Sequence, residues 1–112
     1  KYWNYEKFYK SGELEERGEY RNGYIKGDFE SFYKNGNLKE KGRVNQEYLD
    51  KKFEKIGNFE CFHENGKLKE RGNYKYPSKK DGLFEYYSQN GKLIKKENYK
   101  DGELIWIKKF LN

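Results

Sequence analysis

Hydrophobic positions in this chain fall in short alternating runs of Tyr, Phe, Leu and Val, with no sustained helical spacing anywhere. One pattern recurs four times, beginning at Tyr5, Phe29, Phe59 and Phe84: Y-E-K-F-Y-K-S-G-E-L, F-E-S-F-Y-K-N-G-N-L, F-E-C-F-H-E-N-G-K-L and F-E-Y-Y-S-Q-N-G-K-L. Each copy holds two strand signals around one turn. Residues 28–34 are rich in β-formers, Asn35-Gly36 is a strong hairpin signal, and residues 37–44 return as the second strand. Residues 58–75 and 83–99 repeat the scheme, and the first copy has Ser11-Gly12 at its turn. Further turn signals at Arg21-Asn22-Gly23, Lys79-Lys80-Asp81-Gly82 and Lys100-Asp101-Gly102 join one hairpin to the next. A partial fifth copy, Ile107-Lys108-Lys109-Phe110, closes the chain. A short fixed period of this kind marks a tandem array. The expectation is an all-β, elongated, twisted single-layer antiparallel sheet of tandem β-hairpins, forming a single repeat domain over residues 1–112.

Hairpin register decides which side chains share a face. A two-residue turn sets Phe29 opposite Gly42 and Glu30 opposite Lys41. A three-residue turn with Gly36 left-handed, followed by a bulge, sets Phe32 opposite Leu38 and Phe29 opposite Lys41. Ser11 at the Asn slot favours the second, as do the recurring pairs Phe8/Leu14, Phe32/Leu38, Phe62/Leu68 and Tyr87/Leu93. One face then carries those pairs with Gly18, Gly42, Gly72, Tyr20, Val44, Tyr74 and Tyr99, as the structural layer. The other carries Tyr5, Phe29, Phe59 and Phe84 opposite Arg17, Lys41, Arg71 and Lys96, with Tyr9, Tyr33 and His63 at one further slot. These eleven residues are the candidate binding surface, because exposed rings and cations are enriched at interfaces. The plainer reading is a ladder that covers the second side of a one-layer sheet.

Composition sharpens this picture. With 39% charged and 33% hydrophobic residues the chain resembles a disordered one, but 20% aromatic residues argue for a fold. Its apolar area must come from rings, each burying roughly 150–250 Å². The net charge of +6 is modest, and Glu and Lys are interspersed as on a solvated surface. No apolar run approaches the roughly 20 residues of a membrane-crossing helix. The chain begins Lys1-Tyr2-Trp3 without an initiator Met, as expected if a signal or other segment has been removed. Localisation therefore stays open between cytoplasmic and exported.

Catalytic chemistry is absent from the motifs. His63, the one histidine, occupies the slot of Tyr9, Tyr33 and Ser88, and Cys61 that of Lys7, Ser31 and Tyr86. A zinc site needs more soft ligands than these two. No phosphate-binding loop or kinase signature occurs. Glu6, Glu30, Glu60 and Glu85 recur once per repeat, as a ladder rather than an acid–base pair. No cofactor, metal or small-molecule substrate is implied. Residues 45–57 make a longer connection, read equally as an inserted loop and as a longer hairpin turning at Asp50-Lys51-Lys52. Residues 76–80 are a smaller irregularity, with Pro77 at a turn or edge.

The unit F-E-x-F-Y-x-N-G-x-L-x-x-x-G-x-Y resembles the bacterial variant of the MORN repeat, the unit of proteins labelled YwqK-type toxin–antitoxin antitoxins. The resemblance covers roughly residues 2–110, departing at Glu97, where the other copies have Gly, and at the longer connection. It implies stacked hairpins acting as a binding or scaffolding module, with antitoxin-like neutralisation as one form. Related repeats flank some plant phosphatidylinositol phosphate kinases, so a kinase label on such a chain would reflect repeat similarity only. The expected function is non-catalytic protein–protein interaction. The alternative is peripheral binding to anionic lipid or another polyanion, and nucleic acid is disfavoured because no recognised motif accompanies the charge.

Overall fold

A computed structural model describes residues 2–46 and 54–110. Nine strands follow one another: β1 (Tyr2–Phe8), β2 (Leu14–Arg21), β3 (Tyr24–Phe32), β4 (Leu38–Asn45), β5 (Glu54–Phe62), β6 (Leu68–Lys75), β7 (Lys79–Tyr87), β8 (Leu93–Lys100) and β9 (Glu103–Lys109). They lie in chain order in one open antiparallel sheet. Extents of 47 × 33 × 18 Å make it a long thin slab, the single-layer hairpin array that the repeat period predicts.

The turns inside the repeats form as expected. Tyr33 N–H donates to the Asn37 carbonyl and Gly36 N–H to the Tyr33 carbonyl, both at 2.9 Å. Asn35 Oδ1 accepts from Asn37 N–H at 2.9 Å, which explains the preference for Asn before Gly. Gly36 has φ +91°, a conformation that a Cβ penalises by about 1–2 kcal/mol. Gly36→Ala should lower the unfolding free energy by about that amount in a urea titration. An unchanged midpoint would show that the turn does not require this backbone.

Beyond the turn, the register departs from expectation. Phe32 does face Leu38, but the pairing then slips so that Ser31 faces Glu40, Glu30 faces Lys41 and Phe29 faces Gly42. Lys39 is the extra residue. The same slip occurs in the other hairpins, setting Tyr5 opposite Gly18, Phe59 opposite Gly72 and Phe84 opposite Glu97. A one-residue slip sends every following side chain to the opposite face, so the expected division of faces is wrong beyond the turn.

The junctions between repeats differ individually. Asn22-Gly23 and Asp101-Gly102 are tight turns with positive φ throughout. Lys79–Gly82, expected to turn, lies within β7. The chain reverses instead at residues 76–78, where Tyr76–Pro77 is cis and Ser78 has φ +55°. Proline lacks the N–H that a ladder needs, so the reversal falls there. In the long connection the strands stay paired out to Asn45 and Glu54, which favours the longer hairpin. Its turn at residues 50–52 lies outside the described residues.

Candidate functional site

The side chains that slip onto Phe29's face form the core. Phe29, Phe59 and Phe84 are 4%, 3% and 0% exposed, and Val44 is buried beside them. Phe59 and Phe84 each need a gap on the neighbouring strand. A Cβ on Gly42 would stand 2.1 Å from the Phe59 ring, and one on Gly72 would stand 2.3 Å from the Phe84 ring. The glycines of the repeat are therefore seats for rings. From Phe59 the rings run edge to face through Tyr74, Phe84 and Tyr99, with centroids 6.0, 5.3 and 5.6 Å apart.

This corrects the expected aromatic–basic ladder. Phe29, Phe59 and Phe84 are core rings, and Tyr5 lies over Gly18 with its hydroxyl donating to Glu16 at 2.9 Å. The cations over the core rings are Lys55, 4.7 Å from the Phe59 centroid, and Lys80, 4.9 Å from that of Phe84. Tyr9, Tyr33 and His63 are half-buried ties between hairpin ends. Tyr9 donates to the Phe32 carbonyl at 2.6 Å and Tyr33 to the Phe62 carbonyl at 2.7 Å. His63 Nε2 donates to the Tyr87 carbonyl at 2.9 Å. His63 thus repeats the tyrosine contact with a different donor.

Arg17, Lys41, Arg71 and Lys96 do form a row, on the opposite face. Cross-strand pairing there runs Glu6, Arg17, Glu30, Lys41, Glu60, Arg71, Glu85, Lys96 and Lys108, one residue per strand from β1 to β9. Charge alternates along this row until the final pair of lysines. Arg17 Nε lies 2.7 Å from Glu30 Oε1, and Arg71 Nε lies 2.8 Å from Glu85 Oε1. Both guanidinium groups also reach over turn-end rings, Arg17 over Phe32 at 5.4 Å and Arg71 over Tyr87 at 6.0 Å. The Arg71 partner and then burial act oppositely on Glu85, and its carboxyl is held below the ordinary range. An open cleft of about 980 Å³ is lined by the ladder residues Glu6, Arg17, Glu30, Lys41 and Glu60 together with Asn4, Tyr5, Gly18, Glu19, Asp28, Phe29, Gly42, Arg43 and Asn58.

A second polar constellation was not anticipated. At Glu97 the glycine seat is filled by a carboxylate that is 7% exposed. Tyr86 and Tyr99 each donate a hydroxyl to its Oε1 at 2.6 Å, Lys95 Nζ lies 3.5 Å from Oε2, and Lys80 Nζ donates to the Tyr86 hydroxyl at 2.8 Å. Burial pushes the Glu97 carboxyl up, but the two hydroxyls and the neighbouring ammonium groups outweigh it, so it ionises more readily than an ordinary glutamate. The sequence signal was the departure from Gly. Its partners converge only through the pairing of β7 with β8.

Groups suited to catalysis are few. Burial pushes the Cys61 thiol up to about 11, so it is protonated and weakly nucleophilic near neutrality. Among the described residues no cluster of three or more His, Cys, Asp or Glu side chains is arranged to hold a metal ion. No helix among them is long and apolar enough to cross a membrane.

Comparison with known proteins agrees with this repeat geometry. A family model described as MORN repeat variant matches residues 26–46, 55–76 and 80–101. Each match spans the two strands of one hairpin and its turn. No curated protein and no solved structure matched the chain significantly.

Proposed function

Since its tandem matches place the chain in the MORN repeat variant family, we propose that it is a non-catalytic interaction module holding a protein partner against the cleft face. The observation that carries this reading is the charge ladder. Eight strands, β1 to β8, present one ordered row of alternating carboxylates and cations beside an open cleft. Such a surface suits a partner with matching alternation, because opposed charges fix register and exclude wrong partners. The ring face is a poorer candidate, since its aromatics are already engaged with glycines and with one another. Scaffolding and toxin neutralisation are narrower forms of this reading, supported only by the resemblance to antitoxin-labelled repeats.

Binding to anionic lipid or another polyanion is less favoured, because Glu30, Glu60 and Glu85 stand between the cations and cancel much of their field. The test is capture of a protein partner by the chain and by a variant carrying Arg17→Glu, Lys41→Glu and Arg71→Glu together. The variant should lose capture while keeping the circular-dichroism spectrum of a sheet. Undiminished capture would remove the cleft face from the reading. Wild-type binding to anionic vesicles that disappears with added salt, without protein capture, would replace a protein partner with a polyanion.

A further inference from the structure

The charge ladder has a period as well as a sign pattern. Neighbouring strands stand about 4.8 Å apart, and the ladder places one charge on each strand from Glu6 on β1 to Lys96 on β8. A helix lying along the ladder presents contacting side chains about every 5.4 Å, and an extended strand about every 6.8 Å. From β1 to β8 the helix drifts by about 4 Å, nearly a full step, so its last charges would meet their own sign. The extended strand loses register sooner. A cross-strand row of another sheet keeps the period throughout, and sheets pack face to face about 10 Å apart.

This chain's own ladder is such a row, and it is self-complementary. Reversing the alternation from β1 to β8 lays every cation on a carboxylate. A two-fold axis running along the strands between β4 and β5 does this, so that Lys41 of each copy meets Glu60 of the other and Glu30 meets Arg71. An axis running along the ladder would instead set each charge against its own copy. Within one chain Arg17 pairs with Glu30 and Arg71 with Glu85. Lys41 and Glu60 are cross-strand neighbours beside the axis, yet among the described residues no ion pair or hydrogen bond engages their charged ends.

The same axis matches apolar surface. Phe32 stands two residues from Glu30 on β3, and Phe62 two from Glu60 on β5, so both rings share the ladder face. Leu38 and Leu68 lie opposite them, and all four are half-buried. Rotation about the strand direction preserves position along the strands, so this apolar row meets its own copy, Phe62 over Leu38 and Phe32 over Leu68. We infer that the ladder face joins two copies of this chain, stacked face to face about a two-fold axis that runs along the strands between β4 and β5. The inference rests on the cleft-face reading above and names its protein partner as a second copy. Because each sheet twists, the contact is closest on the central strands β3 to β6. It uses both ladders at once and closes at two chains.

Sedimentation equilibrium of the chain should give a dimer. Lys41→Glu should weaken it about tenfold, because both Lys41–Glu60 contacts change from attraction to repulsion, and Glu60→Lys should do the same. An equimolar mixture of these two variants should recover wild-type affinity. Each contact of the mixed dimer again joins opposite charges, while each chain keeps its own like-charged pair on β4 and β5. Recovery on mixing therefore reports the contact between chains and not the stability of either one. A wild-type monomer, or a series of oligomers beyond the dimer, overturns the inference, as does a dimer whose affinity neither substitution changes. Two variants that stay weak when mixed overturn the axis between β4 and β5. A monomer that captures a different protein, and loses it when Arg17, Lys41 and Arg71 are all replaced by Glu, overturns the second copy alone and leaves the cleft-face reading in place.

Discussion

Replacing Phe84 with alanine is expected to lower the unfolding free energy by about 3–5 kcal/mol, the usual range for emptying a buried aromatic site. The ring is fully buried, stands over Gly72, and meets Tyr74 and Tyr99 edge to face. Phe8→Ala, at a ring 54% exposed, should cost under about 1 kcal/mol. Gly72→Ala should itself cost about 1–3 kcal/mol, because its methyl must displace the Phe84 ring. The two changes should not add: with the ring gone, the new methyl enters space already empty. Urea titrations of the two single variants and the double variant test this. Additivity within about 0.5 kcal/mol would show that the ring is not seated on Gly72.

Glu97→Ala should cost about 2–3 kcal/mol near neutral pH, because it strips the tyrosine hydroxyls and lysines of their shared acceptor. The pH dependence has a definite sign. Glu97 ionises below the ordinary glutamate value of 4.5 in the folded chain. The unfolded chain therefore takes up the proton first as pH falls. The stabilisation is fully present above about 4.5 and fades as pH drops through the lower folded value. Wild type and Glu97→Gln should accordingly differ by a constant amount above that range and converge below it. A difference that grows on acidification would mean that Glu97 is protonated in the folded state.

The hairpins were legible because their signals are local. Asn35-Gly36 and Asn65-Gly66 specify a turn through their own backbone preferences, whatever surrounds them. The faces were not legible, because the extra residue at Lys39 leaves no compositional mark and yet reverses every later side chain on β4. For that reason Phe29, Phe59 and Phe84 lie in the core and not beside Arg17, Lys41, Arg71 and Lys96, which stand in one row on the other face. Tyr9 and Tyr33 misled for another reason. A tyrosine whose hydroxyl ends on a distant carbonyl has the same local sequence as one facing a partner. The triplets Gly27-Asp28-Phe29, Gly57-Asn58-Phe59 and Gly82-Leu83-Phe84 were the available clue. They accompany the junction slips that help bring each ring to its face.

The ties at the hairpin ends make the long sides of the slab unequal. On one side, Tyr9, Tyr33 and His63 lock each hairpin tip to the next through a main-chain carbonyl. On the other, connections as different as Asn22-Gly23 and the stretch between Asn45 and Glu54 join equivalent strands. The tip side works as a zip with a uniform tooth, because a carbonyl acceptor is present whatever residue bears it. A whole unit can therefore be gained or lost by duplication or deletion with every remaining tooth still meshing. The junction side is tied too, but by contacts peculiar to each place, such as Ser78 Oγ to Glu54 Oε1 at 2.7 Å and Lys75 Nζ to Asp101 Oδ1 at 2.8 Å, so a change in one junction leaves the uniform zip untouched.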